Sequence, residues 1–298
     1  MATWNERAFE GLRQPELGAF RDLPGVWVVG GAVRDVLLGS EPREFDVVVE
    51  GDAAALARKI GAPILHERFG TAKVGHVDIA SARTETYPEP GALPEVRLGA
   101  AMRDDLARRD FTVNTFAVRL SDGFGLCWPG AEDDLERGVL RVLHDDSFTD
   151  DPTRVLRMVR YAARLGFAPE PHTAALAASA RFSTVSGERV GAELRLALAE
   201  PLPEVLLALN NDDLGKRAVH PAFGADRAFL EQVLREVPAG AVPGLAALGA
   251  CLLDAPDVPG ALHRLGFPAA ERAIVSAVAG GSRPLAQGLL AAGTPSAV

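Results

Sequence analysis

The chain has 298 residues, a formal charge of −9, and 48% hydrophobic and 6% aromatic residues. That length accommodates two or three domains with substantial cores, and the acidic balance argues against a general nucleic-acid coat protein. Cys127 and Cys251 are too distant in sequence for a Cys-x-x-Cys pair, so no disulfide framework or zinc site is indicated. No apolar run reaches the ~18 residues a membrane span needs. The N-terminus lacks a basic-then-apolar signal pattern, and a cytoplasmic location is the expectation.

In chain order, residues 1–24 read as a short amphipathic helix closed by a turn at Pro24. The β-branched and aromatic run 26–29 reads as a strand stopped by Gly30-Gly31. Residues 33–38 have helical spacing, with Gly39 as a stop. The run 45–49 is a second apolar strand, and 52–60 a helix with an acidic cap. Short strands are expected near 63–65, 72–74 and 77–80. The stretch 84–102, with Pro88, Pro90, Gly91, Pro94 and Gly99, reads as a long loop. Residues 104–118 read as mostly helical, and 123–128 and 140–143 as strands. The alternation implies a mixed-sheet domain over 1–146. From Ser147 helical patterns dominate: 151–166, 170–181, 186–199, 203–210, then Ala/Leu-rich helices from 226. The reading is therefore α+β over 1–146, helical over 147–225, and a shorter helical region over 226–298.

Residues 26–52 carry the first chemical signal. Glu44 and Asp46 are two apart at the start of a strand, so both side chains share one face. Paired carboxylates suit Mg²⁺, which shares its oxygen ligands with substrate phosphates. Gly30-Gly31 opens a helix, and free N–H groups in such a turn suit phosphate. Together they point to nucleotidyl transfer. Asp78, an acid between apolar strand neighbours, is a candidate third carboxylate.

Arg108 and Arg109, followed by Asn114, are suited to a triphosphate or a ribose. The alternative reading is a capped helix with solvated charges. Asp151, Arg154, Arg157 and Arg160 recur three apart on an expected helix. An Asp accepts from an exocyclic amine, and an Arg donates to ring acceptors. Such a pair accepts cytosine and adenine and rejects uracil and guanine. The stretch 186–194 opens another capped helix, on which Arg189 can meet a phosphate.

These stretches, in this order, resemble the class II tRNA nucleotidyltransferases (CCA-adding enzymes) and their bacterial poly(A) polymerase relatives. Gly30-Gly31-Ala32-Val33-Arg34-Asp35 with Glu44-Phe45-Asp46 matches the first family motif, and Arg108 to Asn114 the second. Asp134 to Arg141 matches the third, Asp150-Asp151-Pro152-Thr153-Arg154 the fourth, and Ser186 to Leu194 the fifth. The resemblance implies a polymerase-β-type nucleotidyltransferase head followed by an all-helical neck and body. It implies that Glu44 and Asp46 are catalytic and bind two Mg²⁺ ions, with Mn²⁺ as a substitute. Gly30, Gly31, Arg34, Arg108, Arg109, Asn114, Arg157 and Arg160 are implied as nucleotide contacts, and Asp151 and Arg154 as the base readers. CTP, ATP and a tRNA 3′ end are the implied substrates, with no membrane or protein partner. Partial CC or A addition, poly(A) synthesis, and a catalytically weakened RNA-binding homologue are the alternatives. Glu44 stands where the family pattern has Asp.

Overall fold

Val26–Val29 (β1) is buried along its whole length, as an apolar β-branched run is when strands flank it and layers cover both its faces. The computed structural model describes residues 2–61, 63–66, 70–253 and 255–281. Among the described residues the chain divides into two packed units, one running up to Pro88 and then over Leu93–Asp145, the other made of Glu89–Ala92 and the residues from Asp146 onward.

The first unit contains α1 (Trp4–Gly11), α2 (Gly31–Leu37), β2 (Phe45–Val49), α3 (Ala53–Ile60), β3 (Ile64–His66), β4 (Thr71–Val74) and β5 (Val77–Ser81). It continues with β6 (Arg83–Thr86), β7 (Glu95–Leu98), α4 (Met102–Ala107), β8 (Ala117–Arg119), β9 (Gly125–Leu126) and α5 (Ala131–Arg137). Seven strands form one sheet in the order β3-β4-β5-β2-β1-β8-β9. β2 and β5 are parallel, and the other neighbours are antiparallel. Trp27, Val29, Val48, Ala82, Met102, Leu106 and Ala117 form a buried cluster that packs α4 on one face of the sheet.

Two expectations fail here. The helix read over 104–118 stops at Ala107; Thr112–Asn114 is a single 3-10 turn, and Ala117–Arg119 is a strand beside β1. The Asp110 carboxylate accepts from the Phe111 N–H and the Asn114 amide, which offers the backbone an alternative to helix. Val113, Thr115 and Val118 are β-branched and fit a pleated surface better than a helix. The stretch 84–102 is also not all loop, because β6 and β7 pair as an antiparallel ribbon.

The second unit is helical: α6 (Ser147–Asp150), α7 (Thr153–Leu165), α8 (Pro171–Ser179), α9 (Gly187–Leu198) and α10 (Glu204–Asn210). Then follow α11 (Leu214–Ala218), α12 (Arg227–Glu236), α13 (Pro243–Ala250), α14 (Val258–Arg264) and α15 (Ala269–Ala279). No described helix is long and apolar enough to cross a membrane. The Ser186 hydroxyl caps α9 by accepting from the Arg189 N–H. Gly187 and Gly191, one turn apart on α9, lie against the backbone carbonyls of Arg264 and Leu265. A Cβ at either position would run into those oxygens. Gly191→Ala is therefore expected to destabilise this unit by roughly 1–3 kcal/mol through forced backbone movement, read as a lower midpoint in urea unfolding.

Candidate active site

One face of the sheet changes character along its length. Antiparallel pairing sets Val29 opposite Asp46 and Trp27 opposite Val48, so Asp46 lies on the face that elsewhere forms the apolar cluster. Asp46 and Glu44 are exposed, at the start of β2. Val29 directly precedes Gly30, so the register brings the acid pair beside the glycine turn. Asp78 is the cross-strand neighbour of Asp46 on β5, and Lys73 that of Asp78 on β4. Lys73 Nζ donates to Asp78 Oδ2 at 2.9 Å. That hydrogen bond and the Asp78 charge, with Glu44 and Asp46 adding to them, raise the lysine above its ordinary pKa.

Asp78 is thus ion-paired, and the described residues contain no group of three or more His, Cys, Asp or Glu arranged for a metal. The expectation of Asp78 as a third ligand meets this obstacle: its carboxylate is directed to an ammonium. Glu44 and Asp46 alone still fit an ion that completes its shell with water and phosphate oxygens, as Mg²⁺ does.

The glycine turn is held from beneath. Gly30 has φ +66° and donates its N–H to the Phe116 carbonyl at 2.8 Å. A Cβ on Gly30 would lie 2.7 Å from Arg109 Nη1, so glycine is needed for both its backbone angle and its space. Arg34 is 1% exposed; its guanidinium donates to Asp35 Oδ1 and to Asn114 Oδ1. Asn114 in turn donates to Asp110 at 2.9 Å. Arg34 and Asn114, expected at the nucleotide, are both buried in this network.

Arg108 and Arg109 follow the C-terminus of α4 rather than opening a helix. Asp105, fully buried, accepts from Arg108 at 2.8 Å and from Arg109 at 3.2 Å, and Glu85 accepts from Arg108 at 3.1 Å. Burial pushes the Asp105 carboxyl up, but Arg108 and Arg109 outweigh it and hold it below the ordinary range. Burial lowers the Arg109 guanidinium, with Asp105 and Asp46 opposing that shift. Arg109 Nε is a buried donor without a hydrogen-bond partner. It belongs to a cation close to both the glycine turn and Asp46. The third motif supports the second: Asp134 is buried and accepts from the Thr112 hydroxyl at 2.7 Å and from Arg141 at 3.0 Å.

In the second unit, Asp151 precedes α7 instead of lying on it. Its Oδ1 accepts from the N–H and hydroxyl of Thr153 and pairs with Arg189 of α9 at 2.9 Å. Arg154 is buried and donates to the Ser147 hydroxyl at 2.8 Å. Arg157 and Arg160 both pair with Glu193 of α9, at 3.4 and 3.7 Å, and both lie over the Tyr161 ring. Arg189, expected at a phosphate, instead meets Asp151 and the Gly91 carbonyl. The fifth motif therefore supplies the counter-charges of the fourth.

Lys73, Glu85, Asp105 and Glu193 were not singled out from the sequence as site residues. Asp105 had a readable signal, three and four residues before the arginine pair at helical spacing. Glu193 lies within the fifth motif, but its pairing with Arg157 and Arg160, like that of Glu85 with Arg108, is set by tertiary packing and left no local trace.

Comparison with known proteins places this geometry among relatives. Residues 26–141 match the family model for the poly(A) polymerase head domain. An A-adding tRNA nucleotidyltransferase of Geobacter sulfurreducens is 43% identical over 236 residues, covering 70% of this chain and 27% of that protein. A CC-adding tRNA nucleotidyltransferase of Deinococcus radiodurans is 43% identical over 189 residues, covering 59% of this chain and 50% of that protein. The chain thus spans half or less of the length of these two relatives. A solved CCA-adding enzyme in its apo form superposes with a TM-score of 0.77 at 29% identity, covering 92% of this chain and 73% of that one.

Proposed function

We propose, from a chain whose residues 26–141 match the family model for the poly(A) polymerase head domain, that this protein transfers nucleotides from CTP, ATP or both to the 3′ end of tRNA. The observation that carries the reading is the register of β1 and β2, which sets the exposed Asp46 opposite the residue before the Gly30-Gly31 turn. The fold supports it: an α+β chain with a polymerase-β-type head over the mixed sheet. Residues 1–146 act as the catalytic head, 147–225 as the base-reading neck, and 226–298 as a short body for RNA.

The parts divide as follows. Glu44 and Asp46 would hold divalent ions, with Mg²⁺ favoured by their hard oxygen donors. When bound, the metal would lower the pKa of the acceptor hydroxyl and neutralise the leaving pyrophosphate. Gly30, Gly31 and Arg109 meet the triphosphate. Arg34, Asn114 and Arg108 keep that turn and Arg109 in place. The acceptor 3′-oxygen bonds to the α-phosphorus as the α–β bridging bond breaks, and the hydroxyl proton leaves to water. Catalysis is positioning and charge neutralisation. Asp151 and Arg154 select cytosine and adenine by donor–acceptor pattern, with Arg157 and Arg160 beside them.

The test uses tRNA lacking CCA, ending in C, or ending in CC, each with a single nucleoside triphosphate. Addition of C to the first two and A to the third is the expected full pattern. Addition confined to the CC-ended tRNA with ATP narrows the activity to A, and addition of C alone narrows it to CC. Incorporation on none of the three overturns the reading. Tails on unrelated RNA replace it with poly(A) synthesis.

A further inference from the structure

The first residue of the glycine turn is also the last rung of a strand ladder. β1 and β8 pair with Val29 opposite Ala117. One step further, the Gly30 N–H donates to the Phe116 carbonyl at 2.8 Å. Two residues before Phe116, the Asn114 carbonyl accepts from Arg109 Nη1 at 3.3 Å. The segment 114–116 therefore holds both groups that meet the triphosphate in the proposed function. Ala117 belongs to the apolar cluster on the Asp46 face, so Phe116 projects from the opposite face. There its fully buried ring meets the Trp4 ring edge-on, with centroids 5.1 Å apart and planes at 71°. This is a favoured aromatic geometry.

Trp4 opens α1, which is fastened on both sides of the turn. Asn5 Nδ2 donates to the Gly123 carbonyl at 3.0 Å. A Cβ on Gly123 would run into the Phe9 ring, and one on Gly125 into Trp4 and Asn5. A Cβ on Gly11 would run into Val36 of α2, which follows the turn. We propose that Trp4 is a positioning residue for the nucleoside triphosphate. Its ring steadies Phe116, and the Phe116 carbonyl sets the direction of the Gly30 amide beside Arg109. The turn then meets the phosphates without reorganising, which is the part of affinity that preorganisation controls. Phe9 holds the same helix through Gly123, beyond the end of β8 remote from Phe116. The inference rests on the reading of Gly30 and Arg109 as triphosphate contacts.

The experiment compares wild type, Trp4→Ala, Trp4→Phe and Phe9→Ala in the full chain. CTP with Mg²⁺ is titrated by calorimetry, and initial rates of transfer to tRNA are measured. Trp4→Ala is expected to raise the CTP Kd and KM roughly fivefold, the scale of one loosened hydrogen bond. Its kcat stays within about twofold of wild type, as when binding alone is lost. Trp4→Phe keeps a ring edge at Phe116 and restores both constants. Phe9→Ala lowers the melting temperature as Trp4→Ala does but leaves Kd and KM at their wild-type values. Should Trp4→Ala fail to fold by circular dichroism, Trp4→Leu and Phe116→Leu replace it with the same expected rise. An unchanged Kd in a folded Trp4 variant overturns the proposal. An equal rise in Phe9→Ala overturns it too, because α1 would then act only as a support for its unit. Triphosphate binding with this dependence on Trp4 but no transfer supports the proposal and overturns only the transfer reading. No triphosphate binding by wild type overturns both.

Discussion

Asp46→Ala is expected to lower nucleotide incorporation by at least about 10²-fold, the scale of losing one preorganised charge at a reacting centre. Its melting temperature should stay within about 2 °C of wild type, because exposed positions away from special packing seldom move stability by more than about 0.5 kcal/mol. Asp46 is exposed, and its own strand continues through the buried Val47, Val48 and Val49. Loss of activity with an intact fold separates a chemical role from a structural one. The measurement is incorporation of labelled nucleotide under saturating substrate, paired with a thermal melt. Activity within a few-fold of wild type would falsify the assignment of the acid pair.

Asp105→Asn should give the opposite pattern. Asp105 is fully buried and accepts from Arg108, Arg109 and the Arg83 N–H. Removing its charge leaves Arg109 buried against a neutral amide, a loss of about 3–5 kcal/mol. That corresponds to a melting-temperature drop of roughly 10 °C for a unit of this size. The pH dependence follows from the lowered carboxyl. A group with a depressed folded pKa stabilises the protein above its unfolded value and loses that contribution as pH falls through the folded one. The gap between wild type and Asp105→Asn is therefore widest near neutral pH and narrows as pH drops below about 4. A constant gap from pH 7 to pH 3 would show that Asp105 acts by shape alone.

Much of the head was legible because its signals are local. The strand at 26–29, the glycine stop and the acid pair at 44 and 46 depend on residue type and a two-residue period. The helix cap at Ser186 was legible for the same reason. The region 104–118 misled because one side chain, Asp110, captures two donors nearby and breaks a pattern that otherwise looks helical. The arginines show a second limit. Sequence spacing shows which residues carry charge but not which charges are already answered. Arg34 finds Asn114 across 80 residues, and Arg157 finds Glu193 across 36. Asp78 shows the same limit on a shorter scale, since Lys73 meets it only when a hairpin turns the chain back.

Arg189 and Glu193 stand one turn apart on α9, and each answers the opposite charge on the segment 151–160. One is positive and faces an acid; the other is negative and faces two arginines. A helical turn advances about 5.4 Å. If α9 slid by that distance, Glu193 would approach Asp151 or Arg189 would approach Arg157, and like charges would meet. The two pairs thus act as a key cut in two places, admitting one alignment of the helices and rejecting its nearest neighbours. Gly187 and Gly191 add the same discrimination by shape, since only the present alignment sets bare Cα positions against the Arg264 and Leu265 carbonyls. If Asp151 reads the base as proposed, a selectivity change routed through it would require matched changes on α9, and such a change would come in pairs of residues rather than singly.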